Sequence, residues 1–222
     1  MEKEGDVLAD SAKQSVPERT RVLSVGGIIG PVSYTIVVVV LGLLWPGYSH
    51  VTQAISELGG VGAPNAIIMN TAGFALNGIL IIVFAVGLYY GLDKGSGSKV
   101  GPALVAVYGL GMFGVAFFPW DKVNLASFTS TMHSLIGWPQ LIGLTLGLLV
   151  LAHTFKNDLQ WNNYWVYTLS TGLLTAALII IYAFIGIEGY MGVQQRIIIG
   201  AQLLWIEIVA IKLFRSPVSS ST

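Results

Sequence analysis

The stretch VLSVGGIIGPVSYTIVVVVLGLLW, residues 22–45, contains no charged side chain. A hydrocarbon core about 30 Å thick needs roughly 20 apolar residues in a helix, so this stretch predicts a transmembrane helix. The polar segment before it and its length distinguish it from the apolar core of a secretory signal peptide. We therefore expect it to stay attached as a signal anchor.

Five more stretches are similarly long and apolar, and they cover residues 66–90, 100–119, 133–155, 164–187 and 195–214. The 222 residues are 54% hydrophobic and 10% charged, with a mean hydropathy of +0.74, whereas soluble domains carry about 25% charged residues. This composition excludes a soluble enzyme, a disordered protein and a nucleic-acid binder. The sequence predicts an all-α polytopic membrane protein in which residues 22–215 form one bundle of six helices, between disordered tails at residues 1–21 and 216–222.

The basic residues predict the orientation of this bundle. Nine of the eleven Lys and Arg residues lie in the two tails and in the second and fourth connections, and only Lys122 and Arg196 lie in the other three. Under the positive-inside rule, both termini are cytoplasmic and the protein resides in the cell membrane. Trp161 and Trp165 are then expected in the aromatic belt at the inner interface.

The first outer connection, PGYSHVTQAISELGGVGAPN, predicts a short interfacial helix. Ser49 is a suitable N-cap and Gly59 a suitable terminator. Within this helix His50 and Glu57 would share one polar stripe, two turns apart. The stripe would face the headgroup layer or the bundle.

The chemically capable side chains of the outer connections allow three interpretations. His50, Glu57, Asp121 and His133 are candidate catalytic residues for acid–base chemistry, and the two histidines with Asp121 are candidate metal ligands. Alternatively, the histidines and Arg196 bind an anionic headgroup or a small solute. The third interpretation is structural, with an ion pair between Arg196 and Asp121 or Glu57.

Other polar residues extend this candidate site. Asn70 opens the second span, Gln140 follows His133 along the fourth helix, and Glu188 closes the fifth span. Three further polar side chains are expected inside the membrane, where such groups are costly and often functional; they are Asn77, Gln202 and Glu207. Glu207 is the only carboxylate well inside a span.

Several chemistries have no signal in the sequence. The chain contains no cysteine, which excludes thiolate metal sites. It has no nucleotide-binding motif and no lysine placed for a retinal Schiff base. The cofactor is therefore unknown. Membrane lipids are the expected partners, a small solute is a further candidate, nucleic acid is not, and whether the chain forms an oligomer stays open.

The blocks GGIIGPVSY, LLWPGYSHVTQAISELGGVGAPNAIIMN, FPWD and HSLIGW resemble a bacterial and archaeal family of six-span membrane proteins catalogued as domain of unknown function nine-nine-eight. The resemblance covers the chain from Gly26 to Phe214. It implies the six-helix fold and draws attention to Ser56 beside Glu57, Asp121 and His133, but it implies no activity. Where the family often has FPCD, this chain has Trp120 in place of the cysteine. The ISELG segment is also similar, more loosely, to the ISDTG segment of the Frag1/DRAM/Sfk1 membrane family.

These observations predict an integral membrane protein with an outward-facing polar site. The leading hypothesis is that the site binds a lipid headgroup or a small solute. A membrane-embedded hydrolase or transferase that uses the His/Asp/Glu set is the enzymatic alternative. A membrane scaffold without a ligand is the third.

Overall fold

The computed structural model describes residues 16–92, 95 and 97–217. Within them, six helices are long and apolar enough to cross a membrane, which confirms the predicted all-α architecture. A short helix, α2, lies in the first connection, also as expected. The helices are α1 (Glu18–Leu44), α2 (Ile55–Leu58), α3 (Ala66–Tyr90), α4 (Gly97–Val115), α5 (Phe128–Lys156), α6 (Asn162–Ile185) and α7 (Met191–Arg215).

The predicted tails fall mostly outside the described residues, which exclude residues 1–15 and 218–222. The described parts of these tails are residues 16–21, 216 and 217. Helix α1 begins at Glu18, directly after Pro17, and the Val16 amide donates to the Pro217 carbonyl over 2.8 Å. The bundle therefore extends slightly beyond the predicted limits at this end.

The six long helices form a closed ring. Each packs against the next one along the chain, and α7 packs back against α1. The interface between α6 and α7 is the smallest between consecutive long helices. We call the end of the bundle that carries both termini the terminal end and the opposite end the distal end.

Glycines bring the helices of this ring close together, as the small-xxx-small pairs in the sequence predict. A Cβ atom at Gly26 would meet the carbonyl group of Leu80 in α3. A Cβ atom at Gly147 would lie 3.0 Å from the Cβ atom of Leu104 in α4. These glycines allow backbone contact in a lipid environment, where packing replaces the hydrophobic effect between helices.

The core of the terminal half is aromatic. Phe155, Trp161 and Trp205 are fully buried, and the ring centroid of Phe155 lies 4.6 Å from Trp161 and 6.5 Å from Trp205 in stacked geometry. The prediction that Trp161 lies in the interfacial belt is wrong. Its indole N–H donates to the Gly91 carbonyl over 3.1 Å, and this satisfied polar group lets the ring enter the core.

Three helix limits on the distal side differ from the prediction by four or five residues. Helix α7 begins at Met191 rather than at Gln195. Helix α4 ends at Val115 rather than at Pro119, since the residue before a proline avoids the helical conformation and the chain turns in advance of it. Helix α5 begins at Phe128, five residues earlier than expected. There Ser127 caps the helix by accepting a hydrogen bond from the Ser130 amide over 3.2 Å.

The predicted interfacial helix is much shorter than expected. The Ser49 hydroxyl accepts hydrogen bonds from the Val51 and Thr52 amides, 3.3 Å each, and so forms a turn instead of capping a helix. Helix α2 covers four residues, all buried. Gly59 ends it as predicted. The first connection therefore packs into the distal end of the bundle, and no continuous polar stripe joins His50 to Glu57.

Two π-helical segments lie at the distal end, where α3 begins (Met69–Ala75) and where α6 ends (Ile181–Ile185). Such segments widen a helix locally and are frequent at functional sites. The first contains Asn70 and the second contains Tyr182. Both residues lie close to the candidate site.

Candidate functional site

A cavity of about 200 Å³ lies in the distal half of the bundle, between α5, α6, α7 and the first connection. We call it the distal cavity. Its aromatic wall is formed by Trp120, Trp138 and Tyr182. Its polar lining is formed by Ser56, Glu57, His133, Ser134, Gln140 and Gln195. Four sequence-predicted site residues, from α2 and α5, therefore line one cavity.

The Glu57 carboxylate is the charged group of this cavity. Its side chain is only 9% exposed. One oxygen accepts the Ala54 amide over 3.0 Å, as a capping-box glutamate does at a helix N-terminus. The other accepts from Gln53 Nε2 at 3.1 Å and from Lys122 Nζ at 2.8 Å. The predicted ion pair with Arg196 is thus wrong, because Lys122 is the cation that pairs with Glu57.

His133 enters the cavity from the first turns of α5. Its Nδ1 atom lies 2.8 Å from the Phe118 carbonyl oxygen, which can only accept, so Nδ1 carries the proton. In the neutral ring Nε2 is then an acceptor and a potential base. The carbonyl is available because the chain leaves α4 before Pro119. The Trp120 ring, 5.7 Å away between centroids, packs edge-on against the imidazole.

Amide side chains complete the polar lining. Gln195 Oε1 accepts the Ile55 amide over 2.6 Å and so fixes α2 to α7. Gln140 Oε1 is buried and has no donor among the described residues. This oxygen faces α4 rather than the cavity, since a Cβ atom at Gly111 would lie 2.7 Å from it.

A second depression of about 420 Å³ lies on the outer surface between α1 and α7. We call it the lateral groove. Val39, Leu43 and Gly200 are exposed beside it, so it opens sideways from the bundle. Its lining includes Thr35, Val38, Leu43, His50, Arg196 and Leu203. Arg196, Gly200 and Leu203 follow one another along the face of α7 that lines this groove, whereas Glu207 does not line it.

Arg196 fixes the first connection to the start of α7. Its Nη1 donates to the carbonyls of Gln53 at 2.8 Å and Gly192 at 3.0 Å. Its Nη2 donates to the Tyr48 hydroxyl at 2.7 Å, and that hydroxyl in turn donates to the Ala54 carbonyl at 2.9 Å. These partners are neutral. The guanidinium therefore keeps its full positive charge at the edge of the groove.

The aromatic and titratable groups beside Arg196 respond to that charge. Burial lowers the pKa of His50 from its ordinary value, and the positive charge of Arg196 lowers it further. Burial raises the pKa of Tyr48, against the opposing hydrogen bond from Arg196. His50 is therefore neutral at pH 7 and Tyr48 keeps its proton.

Two predicted site residues lie elsewhere. Asp121 Oδ1 accepts the amides of Val123 and Asn124 at 3.0 Å each, so this carboxylate holds a loop together. Glu188 is exposed in the α6–α7 connection and lines neither the distal cavity nor the groove. Among residues 16–92, 95 and 97–217, no three His, Asp or Glu side chains come together as a metal ligand set. The candidate ligands His50, Asp121 and His133 are separated accordingly.

The polar residues predicted inside the membrane have different surroundings. Asn77 is fully buried and neither atom of its amide has a partner among the described residues. Gln202 Nε2 donates to the Leu141 carbonyl and to Thr145 Oγ1, 3.1 Å each. Glu207 is half-buried and makes no hydrogen bond within the described part of the chain. Asn70 Nδ2 donates to the Gly59 carbonyl at 2.9 Å, which anchors the end of α2.

Three residues that build the site were not among the predicted site residues, and they are Tyr48, Tyr182 and Gln195. Tyr48 and Gln195 had a usable signal, since they are polar residues within a few positions of His50 and Arg196. Tyr182 had no usable signal, because an aromatic residue near the end of an apolar span is typical of an interfacial anchor.

The fold and site define a six-span helical membrane protein with a polar cavity at one end. The family model for the protein of unknown function DUF998 matches residues 28–212. The chain belongs to this family, as the sequence blocks predicted. No curated protein and no solved structure matches the chain. The looser likeness to Frag1/DRAM/Sfk1 proteins stays a prediction.

Proposed function

We propose that this protein binds the polar head of a lipid, or a small solute, in the distal cavity at the outer face of the cell membrane. The ligand carries a hydroxyl or ammonium donor. The observation that carries the proposal is the Glu57 carboxylate, nine-tenths buried, in a cavity walled by Trp120, Trp138 and Tyr182. Carboxylates accept from such donors, and aromatic faces attract cations.

The size and position of the cavity support a small group. A volume of about 200 Å³ is below the range of about 300–1,000 Å³ for whole drug-sized ligands, so a headgroup or a small solute fits better than a large molecule. The rings of Trp138 and Tyr182, 5.6 Å apart, close the cavity between α5 and α6. Entry is therefore expected beside Met191, where α6 and α7 pack least.

Gly137 provides the sharpest test. It lines the cavity, and a Cβ atom there would meet nothing within 4 Å, so Gly137→Leu fills the cavity without forcing the backbone. Native mass spectrometry of the purified wild type is expected to show a co-purifying molecule with an amine or hydroxyl group. That molecule is expected to be lost from Gly137→Leu. The same bound molecules in both proteins would overturn the proposal.

Charge variants test the role of Glu57. Glu57→Gln is expected to weaken binding at least tenfold, because the acceptor loses its charge. Lys122→Met is the matched control: the Lys122 side chain is 67% exposed, outside the cavity, and its removal is expected to leave binding within about threefold. Equal losses in the two variants would show that the ion pair, and not the carboxylate, carries the effect.

An acyl or headgroup hydrolase is the second candidate, favoured by His133. Its protonated Nδ1 leaves Nε2 as a base in a cavity that also contains the Ser56 hydroxyl. If the protein is an enzyme, the co-purifying lipid is hydrolysed by the wild type and not by His133→Asn. Binding without turnover would exclude the hydrolase. If the protein binds no ligand, the membrane scaffold is the remaining interpretation.

The outward orientation is tested with single cysteines, which the cysteine-free chain makes simple. Val123 is 98% exposed at the distal end and Lys99 is exposed near the terminal end. A membrane-impermeant maleimide applied to intact cells is expected to label Val123→Cys and not Lys99→Cys. The reverse result would place the cavity on the cytoplasmic side.

A further inference from the structure

Arg196 lies at the lateral groove and has no anionic partner among the described residues. The ion pair found among the described residues joins Glu57 to Lys122, and the hydrogen-bond acceptors of Arg196 are two backbone carbonyls and a phenol. Its Nε is buried and has no acceptor among the described residues. Its Nη2 donates one of its two hydrogens, to the Tyr48 hydroxyl. Two N–H groups of the guanidinium therefore have no acceptor within the described part of the chain.

A guanidinium without a counterion inside a transmembrane helix is expected to attract an anion. Arg196 is five residues inside α7, about 7 Å from the start of the helix at 1.5 Å per residue. A lone arginine in a transmembrane segment is expensive unless an anion or water reaches it. The planar guanidinium fork matches phosphate, which it binds through two parallel hydrogen bonds.

The groove below Arg196 is apolar. Val38, Leu43 and Leu203 contribute aliphatic side chains to its walls. Leu203 lies seven residues after Arg196 on the same face of α7, about 10 Å further toward the middle of the membrane. A ligand that satisfies both regions needs an anionic head and an aliphatic chain at least this long.

Aromatic residues mark the level at which the head would lie. Trp45 stacks on Tyr48 with 5.4 Å between ring centroids, and Tyr48 meets His50 edge-on at 5.2 Å. Tyrosine and tryptophan collect at the headgroup level of a bilayer. The unpaired charge thus lies at the level of lipid phosphates.

We propose that the lateral groove is a binding site for a phospholipid, with the phosphate on Arg196 and one acyl chain along α1 and α7 toward Leu203. The guanidinium has only neutral acceptors among the described residues, so charge complementarity with the phosphate selects this occupant over an uncharged lipid. The site is separate from the distal cavity. The inference therefore does not depend on the proposed function.

Gly200 allows the groove to be blocked without disturbing the fold. A Cβ atom there would meet nothing within 4 Å, and the residue lines the groove. Gly200→Leu is therefore expected to occupy the acyl path. It is tested throughout in a Gly137→Leu background, where the distal cavity is already filled, because the hydroxyls of a glycerol headgroup match the ligand proposed for that cavity. In a helix interior both substitutions favour the helical state, since glycine is the poorer helix former.

The experiment uses the full chain, purified in detergent and stripped of lipid, with binding followed by native mass spectrometry. The probes are dioleoyl phosphatidylglycerol, dioleoylglycerol with the same chains and no phosphate, and inorganic phosphate. In the Gly137→Leu background, phosphatidylglycerol is expected to bind, and to bind at least tenfold more weakly when Gly200→Leu is added. Dioleoylglycerol is expected to bind at least tenfold more weakly than phosphatidylglycerol.

Three results would overturn the proposal. Unchanged binding of phosphatidylglycerol to Gly200→Leu would show that the groove is not the site. Equal binding of dioleoylglycerol would show that phosphate is not recognised. Displacement of the lipid by millimolar inorganic phosphate would identify a site for the free anion.

A conservative change at Arg196 tests the head of the site. Arg196→Lys keeps the charge and loses the planar fork, so affinity for phosphatidylglycerol is expected to fall about tenfold. Wild-type affinity in this variant would contradict phosphate recognition by the guanidinium. If the variant does not fold, the Gly200→Leu comparison decides the proposal alone.

Discussion

Two buried tryptophans at the terminal end and two buried polar side chains at the distal end differ in whether their hydrogen bonds are made. At the terminal end the indole N–H groups of Trp161 and Trp205 donate to the Gly91 carbonyl and to Thr168 Oγ1, and the rings stack in a closed core. At the distal end Gln140 Oε1 and Arg196 Nε are buried without partners among the described residues. Folding alone explains the first arrangement. The second leaves two buried polar atoms, on residues that line the distal cavity and the lateral groove, which folding alone does not explain.

This difference separates stability from binding. Substitutions at the terminal end are expected to reduce the free energy of unfolding without changing ligand affinity. Substitutions at the walls of the distal cavity or the lateral groove are expected to change ligand affinity, with little effect on the free energy of unfolding. The predictions below test this division in order of decreasing effect.

The largest effect is expected for Trp161→Ala. Removal of a fully buried indole from the stack with Phe155 should cost about 3–5 kcal/mol in the free energy of unfolding. Denaturant titration in detergent, followed by far-UV circular dichroism, measures this loss. The control is Trp138→Ala, at the half-buried wall of the distal cavity, where the cost should be less than half as large. Equal losses of stability in the two variants would contradict the separation of stability from binding between the two ends.

Gly192→Ala should loosen the distal connection. A Cβ atom at Gly192 would lie 2.6 Å from the His50 carbonyl oxygen and closer still to that of Gln53, and both are backbone atoms that cannot yield cheaply. The expected cost is about 1–3 kcal/mol, with faster proteolysis between residues 46 and 58. Gly200→Ala, where a Cβ meets nothing within 4 Å, should be neutral or slightly stabilising. A neutral Gly192→Ala would show that the connection is not fixed to α7.

The intramembrane amides provide a third comparison. Asn77 has no hydrogen-bond partner among the described residues, so Asn77→Leu is expected to raise the free energy of unfolding by about 1 kcal/mol. Gln202→Leu should lower it by about 1–2 kcal/mol, because the Thr145 hydroxyl and the Leu141 carbonyl lose the donor they share. Both are read from thermal unfolding in detergent. A destabilised Asn77→Leu would indicate that water or a ligand reaches this amide.

The sequence predicted the six spans because apolar length is the main requirement for crossing a membrane. Helix α3 begins and ends at the predicted residues, 66 and 90, since a proline and a glycine flank them. The start of α5 was missed because its cap, Ser127, lies in a polar segment with several equivalent serines and threonines. Local side-chain hydrogen bonds decide such limits, and these depend on backbone geometry.

The candidate site was predicted in part for a similar reason. Topology places Glu57 and His133 at the same end, and the structure gives them one cavity. Topology does not determine which way a side chain points. Asp121 turns back onto its own loop, and Lys122 takes the role expected of Arg196. A one-residue difference along a loop reverses such assignments, so no reading of spacing alone could have settled them.

The smallest expected effect concerns the pKa of His50, which reports on the charge in the lateral groove. Burial lowers this pKa below the ordinary 6.5, and Arg196 lowers it further. The unfolded chain therefore binds a proton more readily. The contribution of neutral His50 to stability is complete above pH 6.5 and is lost as the pH falls from there through the folded-state pKa.

An NMR titration of the imidazole Hε1 signals, with His50→Gln for assignment, measures the shift. In Arg196→Gln the pKa of His50 should rise yet stay below 6.5, because burial is the larger cause. Bound phosphatidylglycerol should also raise it, since a phosphate on Arg196 offsets the guanidinium charge, whereas dioleoylglycerol should not. A pKa of 6.5 or higher in the lipid-free wild type would contradict this account. If bound phosphatidylglycerol leaves the pKa of His50 unchanged, the lipid phosphate does not lie at Arg196 and the anion site is outside the groove.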